Sequence, residues 1–461
     1  MRFLRVFERL AFGLFIVLIP VRLRTTIWEL PVAGIFPDFT DALLFAADAC
    51  LLAVLVLWGV RRGMGGGRIS FGPGFLSWPL LAFVLLGGAS WGFSEAPPMT
   101  LHHVARLGLM FGLYLYVLNE VRSLREIALP LALQVALQAV VAVTQSLLQH
   151  SLGLRSLSEY PLDPAHGGVS IVWAGERLAL RAYGLTDHPN ILGGSLALGL
   201  VLLAVVWWRA SPGWRPVLAF TFALGAAALL LTFSRAAWVA LAAGGLVMAA
   251  LLVARRKLRM LGELTVLALG SLLIVLPFVL VNLPFLGMRL EIPATLPAAD
   301  APLLSPEETS FLERFALNEA AIRIFKERPL TGVGLGAFPI ALHSRLPDFR
   351  FEPQPVHIVL LLAAAELGLP GGLVYLWVTL SPWAAFWLAR RRVRLTPGLV
   401  AASGALAVSA VIGLFDYYLW WLPTGQFWQW LVWGLWAGFF QAAQRGQPEC
   451  DQQGKQGEDA P

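Results

Sequence analysis

Gln354-Pro-Val-His-Ile-Val-Leu-Leu-Leu-Ala-Ala-Ala-Glu-Leu-Gly-Leu-Pro-Gly-Gly372 opens a long apolar run on a histidine, then interrupts it with a carboxylate and a glycine-proline break. Crossing a bilayer takes roughly 20 mainly apolar residues, and the run over 357–389 exceeds that, so it predicts a membrane helix in two pieces. Glu366 lies inside the run, where lipid would penalise a carboxylate, so it should face a cavity or a partner. His357 stands at the water boundary.

Working outward, similar apolar runs lie near 7–22, 41–60, 74–92, 103–119, 127–148, 189–208, 216–232, 236–253, 261–283, 399–416 and 426–443. With 357–389 they predict an all-α polytopic membrane protein of about twelve transmembrane helices. Composition agrees: of 461 residues 58% are hydrophobic and 13% charged, about half the charge of a soluble domain. The first run resembles a signal peptide but lacks a small-x-small cleavage site, so it reads as a retained first helix.

The net charge of +6 sits in short clusters between the runs: Arg2, Arg5, Arg9; Arg61, Arg62, Arg68; Arg122, Arg125; Arg209, Arg215; Arg255, Arg256, Lys257, Arg259; and Arg390, Arg391, Arg392, Arg394. Every second connection is basic, the positive-inside pattern, which predicts cytoplasmic N- and C-termini in a plasma membrane and no nucleic-acid partner. Two outward connections are long, 149–188 and 284–356, and long loops are usually functional or disordered. The second should be partly helical. Ser305-Pro-Glu-Glu308 is a capping-box start, and Phe311, Phe315, Ile322 and Phe325 mark the apolar face of an amphipathic helix that offers Arg314, Glu319, Arg323 and Lys326 to water or substrate. The chain divides into N-terminal membrane helices (1–148), a membrane region with the large outer loop (149–443) and a polar, disordered cytoplasmic tail (444–461).

Charges that break the orientation rule are the candidate functional groups. Arg235, in Leu231-Thr-Phe-Ser-Arg-Ala-Ala-Trp238, sits in a short outward turn; it either snorkels to headgroups or grips an anion with its guanidinium fork. Arg181 precedes Asp187-His-Pro-Asn190 at a helix entrance, where Asp187 could cap the helix with His188 on the surface, or His188 and Asn190 could meet a ligand. His357 is either a hydrogen-bonded boundary residue or a base for a hydroxyl. The adjacent His102-His103 lacks a third ligand, Gly332-Val-Gly-Leu-Gly336 reads as a turn after Pro329, and Cys50 and Cys450 offer neither a disulfide framework nor zinc-ligand spacing. The aromatic Asp416-Tyr-Tyr-Leu-Trp-Trp-Leu-Pro423 reads as an interfacial belt or a sugar-stacking surface. A transporter or permease for a small anion or lipid-linked solute is the alternative class, kept open by Glu366 beside its helix break.

Four segments together resemble the O-antigen ligase and O-antigen polymerase family: Arg181-Ala-Tyr-Gly with His188-Pro-Asn190; Ser234-Arg-Ala-Ala-Trp238; Arg314 with Pro329-Leu-Thr-Gly-Val-Gly-Leu-Gly336; and His357 with Glu366-Leu-Gly-Leu-Pro-Gly371. The likeness spans about 175–420. It implies a GT-C-like glycosyltransferase that needs no metal or other cofactor. Such an enzyme moves a glycan from undecaprenyl diphosphate to a hydroxyl of a glycan, lipid or protein acceptor at the outer face. By position Arg181 and Arg235 would hold the diphosphate, Arg314 would lie in the loop over the site, and His357 would serve as base. His188, Asn190 and Glu366 would complete the substrate site.

Overall fold

A backbone in lipid must satisfy its own hydrogen bonds, so the apolar runs fold as helices. A computed structural model describes residues 2–65, 68–164, 168–290 and 306–446. In chain order the helices are α1 (Arg2–Leu18), α2 (Ala46–Gly65), α3 (Gly74–Ser90), α4 (Pro97–Glu120), α5 (Ala128–Leu148), α6 (Pro189–Arg209), α7 (Arg215–Leu231) and α8 (Arg235–Ala254). There follow α9 (Leu258–Val281), α10 (Leu283–Leu290), α11 (Pro306–Glu327), α12 (Phe338–Arg345), α13 (Val359–Ala389), α14 (Pro397–Phe415), α15 (Tyr418–Trp421) and α16 (Pro423–Gln444).

Among the described residues eight helices are long and apolar enough to cross a membrane: α3, α4, α5, α6, α8, α9, α13 and α14, with α7 apolar but shorter. The chain is a multi-pass membrane protein. The expected twelve spans are not reached by this measure, and α1 and α2 show why. Both carry charges that pair inside the bundle: Arg61 donates Nε and Nη2 to Glu8 at 2.6 and 2.9 Å and lies 2.8 Å from Glu120 of α4. The all-α expectation is also amended. Strand β1 (Arg24–Trp28) pairs antiparallel with β2 (Ala42–Phe45), so the span expected from 41 becomes helical only at Ala46. A second hairpin joins β3 (Ile171–Ala174) to β4 (Arg177–Leu180).

The apolar stretch of α6 is 94% buried and that of α9 only 11%, which puts α6 inside the bundle and α9 against lipid. Tyr418 closes over the start of α6 so tightly that a Cβ at Gly194 would sit 1.7 Å from its hydroxyl. Helix α13 is broken at Gly368 (φ 67°), and the glycine-rich turn after Pro329 packs into the break. There Gly334 N–H donates to Glu366 O at 2.9 Å and Leu369 N–H to Pro329 O at 2.7 Å.

Helix α11 forms as expected, but on another face. Leu317, Ala320, Ala321 and Ile324 are buried, whereas Phe311, Phe315 and Ile322 are exposed, in a helix that packs on α13. The Ser305 cap and the tail beyond 446 lie outside the described residues.

The turn and the break approach backbone to backbone: a Cβ at Gly332 would lie 2.3 Å from the Glu366 carbonyl, and one at Gly368 2.5 Å from that of Leu330, both at positive φ. Gly332→Ala and Gly368→Ala should each lower the melting temperature of the purified protein, by overpacking and strain of about 1–3 kcal/mol. Gly108→Ala, where nothing lies within 4 Å, should leave it unchanged or raised.

Candidate functional site

The singled-out residues meet where α6, α8, α13 and α15 begin and α7 and α14 end. Arg181 is 5% exposed and all of its guanidinium nitrogens are engaged: Nε donates to Thr232 O at 2.7 Å, Nη1 to Ser170 Oγ at 2.9 Å and Nη2 to Asn190 Oδ1 at 2.6 Å. It ties the residue before β3, the α7–α8 turn and the head of α6 together. Three of its five N–H donors are thus engaged by the protein.

Asn190 passes the connection on, donating Nδ2 to Asp416 Oδ2 at 3.0 Å. Asp416 caps α14 and faces the amides of Tyr417 and Tyr418 and the charge of Arg314. Arg314 reaches over from α11 to donate Nη1 to Phe415 O at 3.2 Å. The ring of Tyr417 stands edge-on to His357, with centroids 5.1 Å apart. Gln354, just before this histidine, is held to α11 by its Nε2 donating to Glu313 Oε1 at 2.6 Å. Thus Arg181, Asn190, Arg314 and His357 share one contact network, with Arg235 reached through the α7–α8 turn.

The helix entrance is wired otherwise than the sequence suggests. Asp187 does not cap α6. It pairs with Arg22 at 2.5 Å and Arg24 at 3.2 Å, and so anchors the β1–β2 hairpin. His188 is the cap, its Nδ1 accepting from Asn190 N–H at 3.1 Å.

Glu366 stands apart. It is fully buried, its Oε2 accepts from Trp420 Nε1 at 2.8 Å and it faces the amides of Gly336 and Phe338, so it helps to hold the α13 break. His103 packs its ring 4.8 Å from that of Trp421 and a Cβ at Gly336 would strike it, a core position. Among the described residues no group of three or more His, Cys, Asp or Glu is placed to hold a metal ion.

Burial and the surrounding cations govern protonation. The pKa of His357 is pushed down to about 3, by burial first and Arg314 second. That of His188 falls well below the ordinary value, by burial and then by Arg181, Arg314, His357 and Arg289. Burial, followed by Arg289, brings Arg181 down to about 9, which leaves it charged at neutral pH. Asp416 is raised by burial, with Arg314 opposing. The site is therefore a cationic rim around two neutral imidazoles.

Residues 220–376, from α7 into α13, match the family described as O-antigen ligase. This stretch is similar to that family. The matched stretch carries Arg235, Arg314, His357 and Glu366; Arg181, His188, Asn190 and Asp416 lie outside it. A search of the curated proteins finds no match. Sequence reasoning passed over Arg289 and read Asp416 only as part of an aromatic belt. Asp416 had a signal, being the sole acid between Glu366 and Glu449.

A histidine with a depressed pKa disfavours the fold in acid: below 6.5 the unfolded chain takes up a proton that the folded site refuses. Stability should therefore drop as pH falls from 6.5 towards 3. His357→Gln, lacking that ionisation, should show a shallower loss of melting temperature between neutral and mildly acidic buffer. An equal or steeper loss would contradict the placement.

Proposed function

We propose that the protein transfers a glycan from undecaprenyl diphosphate to an acceptor hydroxyl at the outer face of the plasma membrane, as a ligase or polymerase. The observation that carries this is the contact path Arg181–Asn190–Asp416–Tyr417–His357, which sets a cationic rim beside a neutral imidazole in a stretch similar to the O-antigen ligase family. The basic clusters at the opposite ends of the helices support cytoplasmic termini and an outward site.

In this reading residues 149–443 form the catalytic region. Arg235 and Arg314, whose side chains lie partly or wholly open to solvent, hold the diphosphate, and Arg181 with Asn190 positions the rim. The acceptor oxygen attacks the anomeric carbon as the bond from that carbon to the diphosphate oxygen breaks. The electron pair leaves on the lipid diphosphate, where guanidinium groups stabilise the growing charge, and the hydroxyl proton passes to His357. The buried Nδ1 of His357 has no hydrogen-bond partner among the described residues, which suits a group waiting for a hydroxyl. A bound diphosphate offsets the Arg314 charge and so raises the basicity of His357 when it is needed. A diphosphate is already a good leaving group, so no metal or nucleotide is required. Glu366, which had kept a transport reading open, clamps the α13 break.

In proteoliposomes supplied with a lipid-diphosphate-linked glycan and an acceptor, Arg235→Ala and His357→Ala should each reduce transfer by roughly 10²-fold or more at normal protein level. Wild-type transfer by both variants would refute the assignment, and solute flux without a covalent product would favour transport. In a deletion strain, loss of chain length marks a polymerase, and long chains retained on the lipid carrier mark a ligase.

A further inference from the structure

The turn between α7 and α8 gathers arginines. Phe233 holds φ at 50°, a left-handed conformation that a bulky residue keeps only when its surroundings impose it. The carbonyls of the twist are each taken by a guanidinium: Thr232 O accepts from Arg181 Nε at 2.7 Å, and Phe233 O accepts from Arg289 Nε and Nη2 at 3.1 and 3.0 Å. Arg235, the first residue of α8, donates Nη1 to the Arg289 carbonyl at 3.4 Å. The placement is enforced by packing, since the buried ring of Phe233 clusters with Leu286 of α10 and Val172 of β3. Helix α10 thus carries Arg289 from the end of the lipid-facing α9 to the rim.

We infer that Arg289 is a further anion-binding residue of the donor site, holding the diphosphate together with Arg235. The fork on Phe233 O fixes the plane of its guanidinium in advance, which lowers the ordering cost of gripping a phosphate. The lowered pKa values of Arg181 and His188 both register the Arg289 charge. A lipid-linked substrate arriving along the bilayer would meet Arg289 at the membrane boundary.

This assignment rests on the diphosphate-donor reading, so its test has one arm that needs no transfer. Protein in nanodiscs is titrated with inorganic pyrophosphate, and donor and acceptor KM are measured separately for wild type, Arg289→Gln and Arg289→Lys. Glutamine can still donate to Phe233 O but carries no charge, so it separates the tether from the anion contact. Arg289→Gln should weaken pyrophosphate binding and raise donor KM by at least roughly tenfold with acceptor KM unchanged, and Arg289→Lys should recover part of both. Wild-type pyrophosphate affinity and donor KM in Arg289→Gln would overturn the inference, as would an equal rise in both KM values. Pyrophosphate binding that depends on Arg289 in a protein showing no transfer would uphold the anion site while sinking the transferase reading.

Discussion

The buried guanidinium of Arg181 is the contact on which the site end of the bundle depends. Its three acceptors come from the residue before β3, the α7–α8 turn and the first turn of α6. A charge 5% exposed is supported by a hydrogen bond from each of its nitrogens, and removing it would leave Thr232 O and Asn190 Oδ1 without their strongest partner. Through Asn190 the constraint reaches Asp416, and through Tyr417 it reaches His357. Thus one buried guanidinium positions residues as far along the chain as His357.

The electrostatics follow from that anchoring. Arg181 and Arg314 both act on Asp416, Arg289 acts on Arg181 and His188, and burial together with these cations keeps the neighbouring imidazoles neutral. Such an arrangement is poised for an anion and a hydroxyl together. The β1–β2 hairpin is tied to the entrance of α6 through Arg22 and Arg24 on Asp187, so a segment well before the matched stretch is fastened beside His188.

Much of this was legible in the residues. Apolar runs located the long helices, the glycine-proline pattern located the α13 break, arginines displaced from the basic ends singled out Arg181 and Arg235, and the loop helix offered Arg314. What was not legible depends on partners far away in the chain. The charges of α1 and α2 look unsuited to a membrane until Glu8 and Arg61 are seen to pair. Asp187 looks like a cap until the hairpin delivers Arg22, and the partner that Glu366 needs, Trp420, stands 54 residues on. For α11 the aromatic spacing misled, because Leu317, Ala320, Ala321 and Ile324 take the buried face while Phe311 and Phe315 turn outward.

The central claim is that the cationic rim receives a phosphorylated lipid with its sugar directed at His357. Electron cryomicroscopy of the protein in nanodiscs with undecaprenyl diphosphate tests it most directly. The account predicts diphosphate density within hydrogen-bonding distance of Arg235 and Arg314, with the leaving oxygen turned towards the His357 side. Lipid density seated elsewhere, with the rim filled only by solvent at saturating ligand, would contradict it.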